Sequence, residues 1–167
     1  MFTTIVHIVP HATDINTSAA SAARLLAVIG GIAIVGRIFL GNLADKIGSR
    51  SIFIIGFILM SAAFFLLVPA RALWMLYVFA VTFGFIQGGV GASESLLVAD
   101  IFGLKSFGLI YGVAGCGFTL GAAVGPWLGG FVFDITGKYQ LVFLGCALVG
   151  IIGLILTVCL RPIRDER

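Results

Sequence analysis

Few side chains in this 167-residue sequence can do chemistry, and the ones that can stand mostly inside long apolar blocks. Arg37 lies in the block 18–43, Gln87 and Glu94 in the block 73–99, and Tyr111 in the block 107–133. A guanidinium in such a place can take a carboxylate through two parallel hydrogen bonds. A carboxyl group there is either a proton site, with its pKa raised by burial, or the partner of a cation. Gln87 and Tyr111 are neutral hydrogen-bonding groups that either line a cavity or pack as buried polar residues. Catalysis is not indicated, because no set of His, Asp or Ser falls in one layer. His7 and His11 are four residues apart, a spacing that can bind metal on a helix, but Pro10 stands between them and no carboxylate motif accompanies them. Cys116, Cys146 and Cys159 occur singly in apolar blocks, which suggests neither a metal site nor a disulfide framework. No cofactor is implied.

The elements that must hold these residues follow from composition. About 60% of the sequence is hydrophobic and 10% is charged, whereas soluble domains carry roughly 25% charged residues. Five apolar blocks, at 18–43, 51–69, 73–99, 107–133 and 141–160, approach or exceed the ~20 residues that cross a bilayer as helix. Residues 1–13 are too few to span and read as the outer end of a helix whose beginning is missing. The expected fold is therefore an all-α polytopic membrane bundle. Its net charge of +3 comes without a basic patch interleaved with aromatics, so no nucleic-acid partner is indicated.

The charge bias has a topological reading. Lys46, Arg50, Lys105, Arg161, Arg164 and Arg167 fall on one side of the blocks, and Arg71 and Lys138 on the other. By the positive-inside rule the first side is cytoplasmic, and so is the carboxy terminus. Blocks 51–69 and 141–160 carry no charge and can face lipid. The other three carry Arg24, Arg37, Gln87, Glu94 and many glycines, and should face protein or a water-filled cavity. Arg24 lies near the outer end of its block, where it can snorkel. Trp74 and Tyr77 fit an interfacial belt. Gly117, Gly121, Gly125 and Gly129 recur every four residues along one helix face, which suits close helix packing or sliding, and Gly125-Pro126 suggests a kink there.

Between the first two blocks stands Gly41-Asn42-Leu43-Ala44-Asp45-Lys46-Ile47-Gly48-Ser49-Arg50. This stretch resembles motif A of the major facilitator superfamily. A tight two-helix turn explains its chemistry: Gly41 permits close contact, Asp45 accepts hydrogen bonds, Gly48 can take positive φ, and Lys46 and Arg50 hold the loop inside. Ala99-Asp100-Ile101-Phe102-Gly103 and Gly125-Pro126-Trp127-Leu128-Gly129-Gly130 are also similar to that family. The resemblance implies half of a twelve-helix fold, with the five blocks as helices eight to twelve and residues 1–13 as the end of helix seven. It also implies a cytoplasmic latch built from Gly41, Asp45, Lys46, Gly48, Arg50 and Asp100. A complete carrier would then require the amino-terminal half or a second copy.

Gly36-Arg37-Ile38-Phe39-Leu40-Gly41 resembles the corresponding stretch of monocarboxylate transporters and oxalate/formate antiporters. The resemblance implies alternating-access transport of a small organic anion, a mono- or dicarboxylate, with Arg37 on the carboxylate. Ala33 stands where several monocarboxylate transporters have an aspartate, and the block 107–133 has no lysine of the kind an oxalate antiporter uses. Drug efflux, sugar transport and a non-transporting fragment are the alternatives. Arg37 should lie roughly 12 Å inside Asp45 along the helix. A charge at that depth costs about 2.5–3.5 kcal/mol or more, so it requires a cavity or a partner such as Glu94.

Overall fold

The computed structural model describes residues 2–14, 19–70, 72–137 and 139–160. Arg71, Lys138, Arg161, Pro162, Arg164 and Arg167 lie outside them, as does the side chain of His11. Six helices run in order: α1 Phe2–Asp14, α2 Ala19–Ile47, α3 Ser49–Leu67, α4 Leu73–Phe102, α5 Phe107–Thr136 and α6 Tyr139–Cys159. A chain in hydrocarbon must satisfy its backbone hydrogen bonds internally, which the helix does. α2 to α6 are each long and apolar enough to span a bilayer. α1, at 13 residues, reaches about 20 Å, less than a hydrocarbon core. All five expected spans are present, and α2, α4 and α5 run about a turn past the expected ends because their polar terminal residues remain helical.

Local chemistry sets the boundaries. Gly48 breaks α2 from α3 at φ 86, Gly103 ends α4 at φ 74 and Gly137 ends α5 at φ 65, conformations that a Cβ would penalise. α3 stops at Leu67, just before Pro69. α5 runs continuously through Pro126.

Helix polarity is fixed by side-chain contacts. The α2–α3 turn, the α4–α5 loop and the end of α6 share one end of the bundle, because Ser49 bonds Asp100 and Arg50 bonds the last carbonyls of α6. The main core is shared by α1, α2, α3, α4 and α6, with Ile8 and Leu25 fully buried in it. Phe64, Phe79, Phe83 and Phe143 are buried there, and the Phe64 and Phe79 rings stand 5.7 Å apart. Small residues let α3 and α6 approach, with Gly150 against the Ser61 hydroxyl and Gly153 against the Phe57 ring.

The helices bury unequal shares of their residues against one another. α3 buries eight residues, Ser49 through Leu67, whereas α5 buries only Gly129. Sequence polarity ranked α3 as lipid-facing because it carries no internal charge. Met60 and Phe64 of α3 are buried against the neighbouring helices, while its Ile58, Leu59 and Phe65 are exposed.

Candidate functional site

The site begins with the seam between α2 and α4. A Cβ built on Gly84 would strike the Ile29 carbonyl, one on Gly88 the Ala33 carbonyl, and one on Gly36 the Phe85 carbonyl. Only glycine lets the two backbones meet so closely. These contacts also set the register: Ile29 meets Gly84 and Ala33 meets Gly88, while Gly36 meets Phe85 and Gly89 meets Leu40, so the helices run parallel and Arg37 falls about level with Gly89. Arg37 therefore stands about 3 Å along the axis from Gln87 and about 7–8 Å from Glu94.

α4 divides its sides among three neighbours. Gly84 and Gly88 face α2, while Ile86 and Val90 meet Gly56 of α3. Gln87, Gly91 and Glu94, spaced by four and three, line a cavity of about 990 Å³ together with Arg37. Nothing approaches the Cβ position of Gly91 within 4 Å, so the wall between Gln87 and Glu94 is open. Phe53, Phe57, Met60 and Phe64 from α3 make an apolar wall, and Gly121, Gly125 and Leu128 from α5 add to the lining.

The cavity thus joins three of the four predicted substrate-binding residues. Arg37 is exposed and Glu94 half-buried, and no ion pair joins them among the described residues. The Gln87 Oε1 atom is sealed from solvent and accepts no hydrogen bond. Tyr111 is elsewhere: its ring stacks on Phe107 with centroids 5.4 Å apart, one turn into α5 and away from the cavity lining.

The motif residues gather at the shared end. Asp45, Gly48, Ser49 and Asp100 line a small pocket of about 280 Å³. Ser49 Oγ donates to Asp100 Oδ2 at 2.5 Å. Arg50 does not pair with either aspartate. Its Nε and Nη2 donate to the Thr157 and Val158 carbonyls at 3.3 and 2.6 Å, capping the end of α6. Free carbonyls at a helix end carry partial negative charge, which a guanidinium offsets. Asp45 and Lys46 are exposed. Gly41 meets nothing within 4 Å, so the close approach expected of it is made by Gly36 on the adjoining face of α2.

The α5 glycine ridge is used in part. Gly125 and Gly129 seat Thr3 and His7 of α1, whereas Gly117 and Gly121 meet nothing within 4 Å. Buried His7 donates from Nε2 to the Pro126 carbonyl at 3.0 Å, and its ring lies 5.6 Å from Tyr139. Among the described residues no group of three or more His, Cys, Asp and Glu side chains could hold a metal.

Sequence reasoning missed the Gly36/Gly84/Gly88 seam, the Ser49 bond and the aromatic wall. The seam had a signal, since Gly84 and Gly88 repeat every four residues; Ser49 and the wall had none.

Long apolar helices around a mostly apolar cavity that holds Arg37, Gln87 and Glu94 fit a multi-pass membrane protein. The sequence matches the Major Facilitator Superfamily over residues 1–167, and the chain belongs to that family. It is 30% identical over 148 residues to mouse monocarboxylate transporter 14, covering 86% of this chain and 29% of that protein. It is 29% identical over 163 residues to mouse monocarboxylate transporter 12, covering 95% of this chain and 34% of that one. It is also similar to the class H tetracycline resistance protein of Pasteurella multocida, 29% identical over 128 residues, covering 77% of this chain and 32% of that protein. The chain spans about a third of the length of these relatives.

Proposed function

We propose that these residues form the carboxy-terminal half of a secondary transporter that moves a small organic anion by alternating access, with Arg37 on the substrate carboxylate. The observation that carries this reading is Arg37 itself, a guanidinium lining a cavity deep in the bundle and free of any ion pair with Glu94. Such a charge is costly in hydrocarbon unless water or an anion attends it. Similarity to proteins named as monocarboxylate transporters supports the same class.

Lys46, Arg50 and Lys105 support a cytoplasmic position for the motif end under the positive-inside rule. There Asp45, Asp100 and the Gly48 turn form one side of the latch that closes against the amino-terminal half, supplied by the rest of the carrier. A cysteine at Ser51 in the complete carrier should label from the cytoplasm only. Labelling from outside would reverse the assignment.

Arg37→Lys should weaken carboxylate uptake at least tenfold, because lysine presents a point charge in place of a two-pronged donor. Arg37→Ala should abolish it. If the Arg37→Ala, Glu94→Gln double variant recovers near-normal uptake, Arg37 is a packing charge. A second reading is efflux of an amphipathic drug. It draws on the aromatic wall and on similarity to proteins named for tetracycline resistance. Drug resistance that survives Arg37→Ala would favour it.

A further inference from the structure

The organic-anion reading uses one of two charges in the cavity. Of the lining side chains only Arg37 and Glu94 carry a formal charge, while Thr3 and Gln87 are neutral hydrogen-bonding groups. Neither charged group makes an ion pair among the described residues. Their levels differ by about 7–8 Å along the helix axis. Gly91 falls between those levels, lines the same cavity and has nothing within 4 Å of its Cβ position, so the space from one charge to the other is open. The rest of the lining is mostly apolar. A charge held in such surroundings without a counter-charge is costly. Arg37 and Glu94 each therefore call for a partner of opposite sign, and they do not supply it to one another.

We propose that the cargo is a zwitterion, a carboxylate that also bears a cationic nitrogen, with Arg37 on its carboxylate and Glu94 on its nitrogen. This inference rests on Arg37 as the carboxylate site and adds a second charge to the cargo. Charge balance carries it. Arg37 and Glu94 sum to zero, so a bare carboxylate leaves the loaded cavity with a net negative charge and leaves Glu94 unanswered. A zwitterion keeps the loaded cavity neutral and gives both side chains a charge-assisted hydrogen bond. The offset between the two levels suits this. It is longer than one such bond, about 2.8 Å, and within reach of two of them with a small molecule between. Glu94 is thus the specificity-determining residue of the site, and what it selects is charge.

The probes are two pairs of four-carbon acids, 2-aminobutyrate with 2-hydroxybutyrate and 4-aminobutyrate with 4-hydroxybutyrate. Within a pair an ammonium replaces a hydroxyl of similar size, and the pairs place it near the carboxylate or far from it. Uptake is measured in proteoliposomes of the complete carrier, and the ratio of rates within each pair is taken so that the amount of active carrier cancels. The wild type should favour the amino acid about tenfold or more in at least one pair, as one charge-assisted hydrogen bond allows. Glu94→Gln, close in shape and without the charge, should bring that ratio to about one while the hydroxy acid is still carried. Glu94→Asp should keep part of the preference. A purely structural Glu94 would lower both rates together and leave the ratio unchanged. Arg37→Ala should abolish uptake of all four acids. Wild-type ratios of one or less in both pairs, or a preference that survives Glu94→Gln, overturns the role of Glu94 while leaving the carboxylate reading in place. Undiminished uptake by Arg37→Ala, or uptake of none of the four by the well-inserted wild type, overturns the carboxylate reading and this inference with it.

Discussion

Two glycine patterns in this protein do opposite things. Along the α2–α4 seam, Gly36, Gly84 and Gly88 lie so close to facing carbonyls that no side chain fits. Along α5, Gly117 and Gly121 have nothing within 4 Å, while Gly125, Gly129 and Gly130 touch a neighbour, α1. The same residue type at the same spacing makes a rigid joint in one place and a loose face in the other. The periodicity shows that a smooth helix face exists; what covers it depends on the rest of the assembly. In a membrane this matters more than in water, because lipid is as apolar as the helices and packing alone must hold them. The seam fixes the depth of Arg37 against Gln87 and Glu94, so the site rests on the rigid pattern.

The sharpest way to break the contrast is at the seam. Gly88→Ala places a methyl against the Ala33 backbone, which has no flexible end to move aside. Overpacking of this kind costs about 1–3 kcal/mol. Denaturant titration of the detergent-solubilised protein should show that loss, with Gly88→Leu failing to fold. Equal stability of Gly88→Ala and wild type would remove the seam as a rigid joint.

A smaller effect is expected at the α6 cap. Arg50→Gln removes the charged donor from the Thr157 and Val158 carbonyls, which should cost about 1 kcal/mol at this partly exposed position. Hydrogen exchange should quicken in the last turn of α6 and stay unchanged in α4. Unchanged exchange at α6 would make the contact incidental.

Smallest of all should be Gly121→Ala, since its Cβ position is empty. Stability should move by no more than about 0.5 kcal/mol, as at an ordinary surface site. A loss as large as that at Gly88 would mean that the α5 face is covered in the membrane and would erase the contrast.

The sequence made much of this visible. Apolar block length located every span, and Gly48 announced its positive φ through the motif around it. Arg37, Gln87 and Glu94 stood out because charge and amide are expensive in an apolar block. Tyr111 misled, since an aromatic hydroxyl inside a block says nothing about which way its helix turns. Arg50 misled for another reason: the motif fixes its place at the end of the bundle, but its partner, the end of α6, is more than a hundred residues away in sequence.

The α2–α4 seam also has an electronic side. Where a Cβ would collide with a carbonyl oxygen, the glycine has a hydrogen on its Cα, and that hydrogen points at the oxygen. Gly84 and Gly88 of α4 thus aim C–H groups at Ile29 and Ala33, while Gly36 of α2 aims one at Phe85. Such Cα–H···O contacts contribute about 0.5–1 kcal/mol each. The donors alternate between the two backbones, so the helices are laced together by weak polar bonds that need no polar side chain. An α-deuterated glycine at these positions should show a vibrational C–D shift that the open glycines of α5 lack.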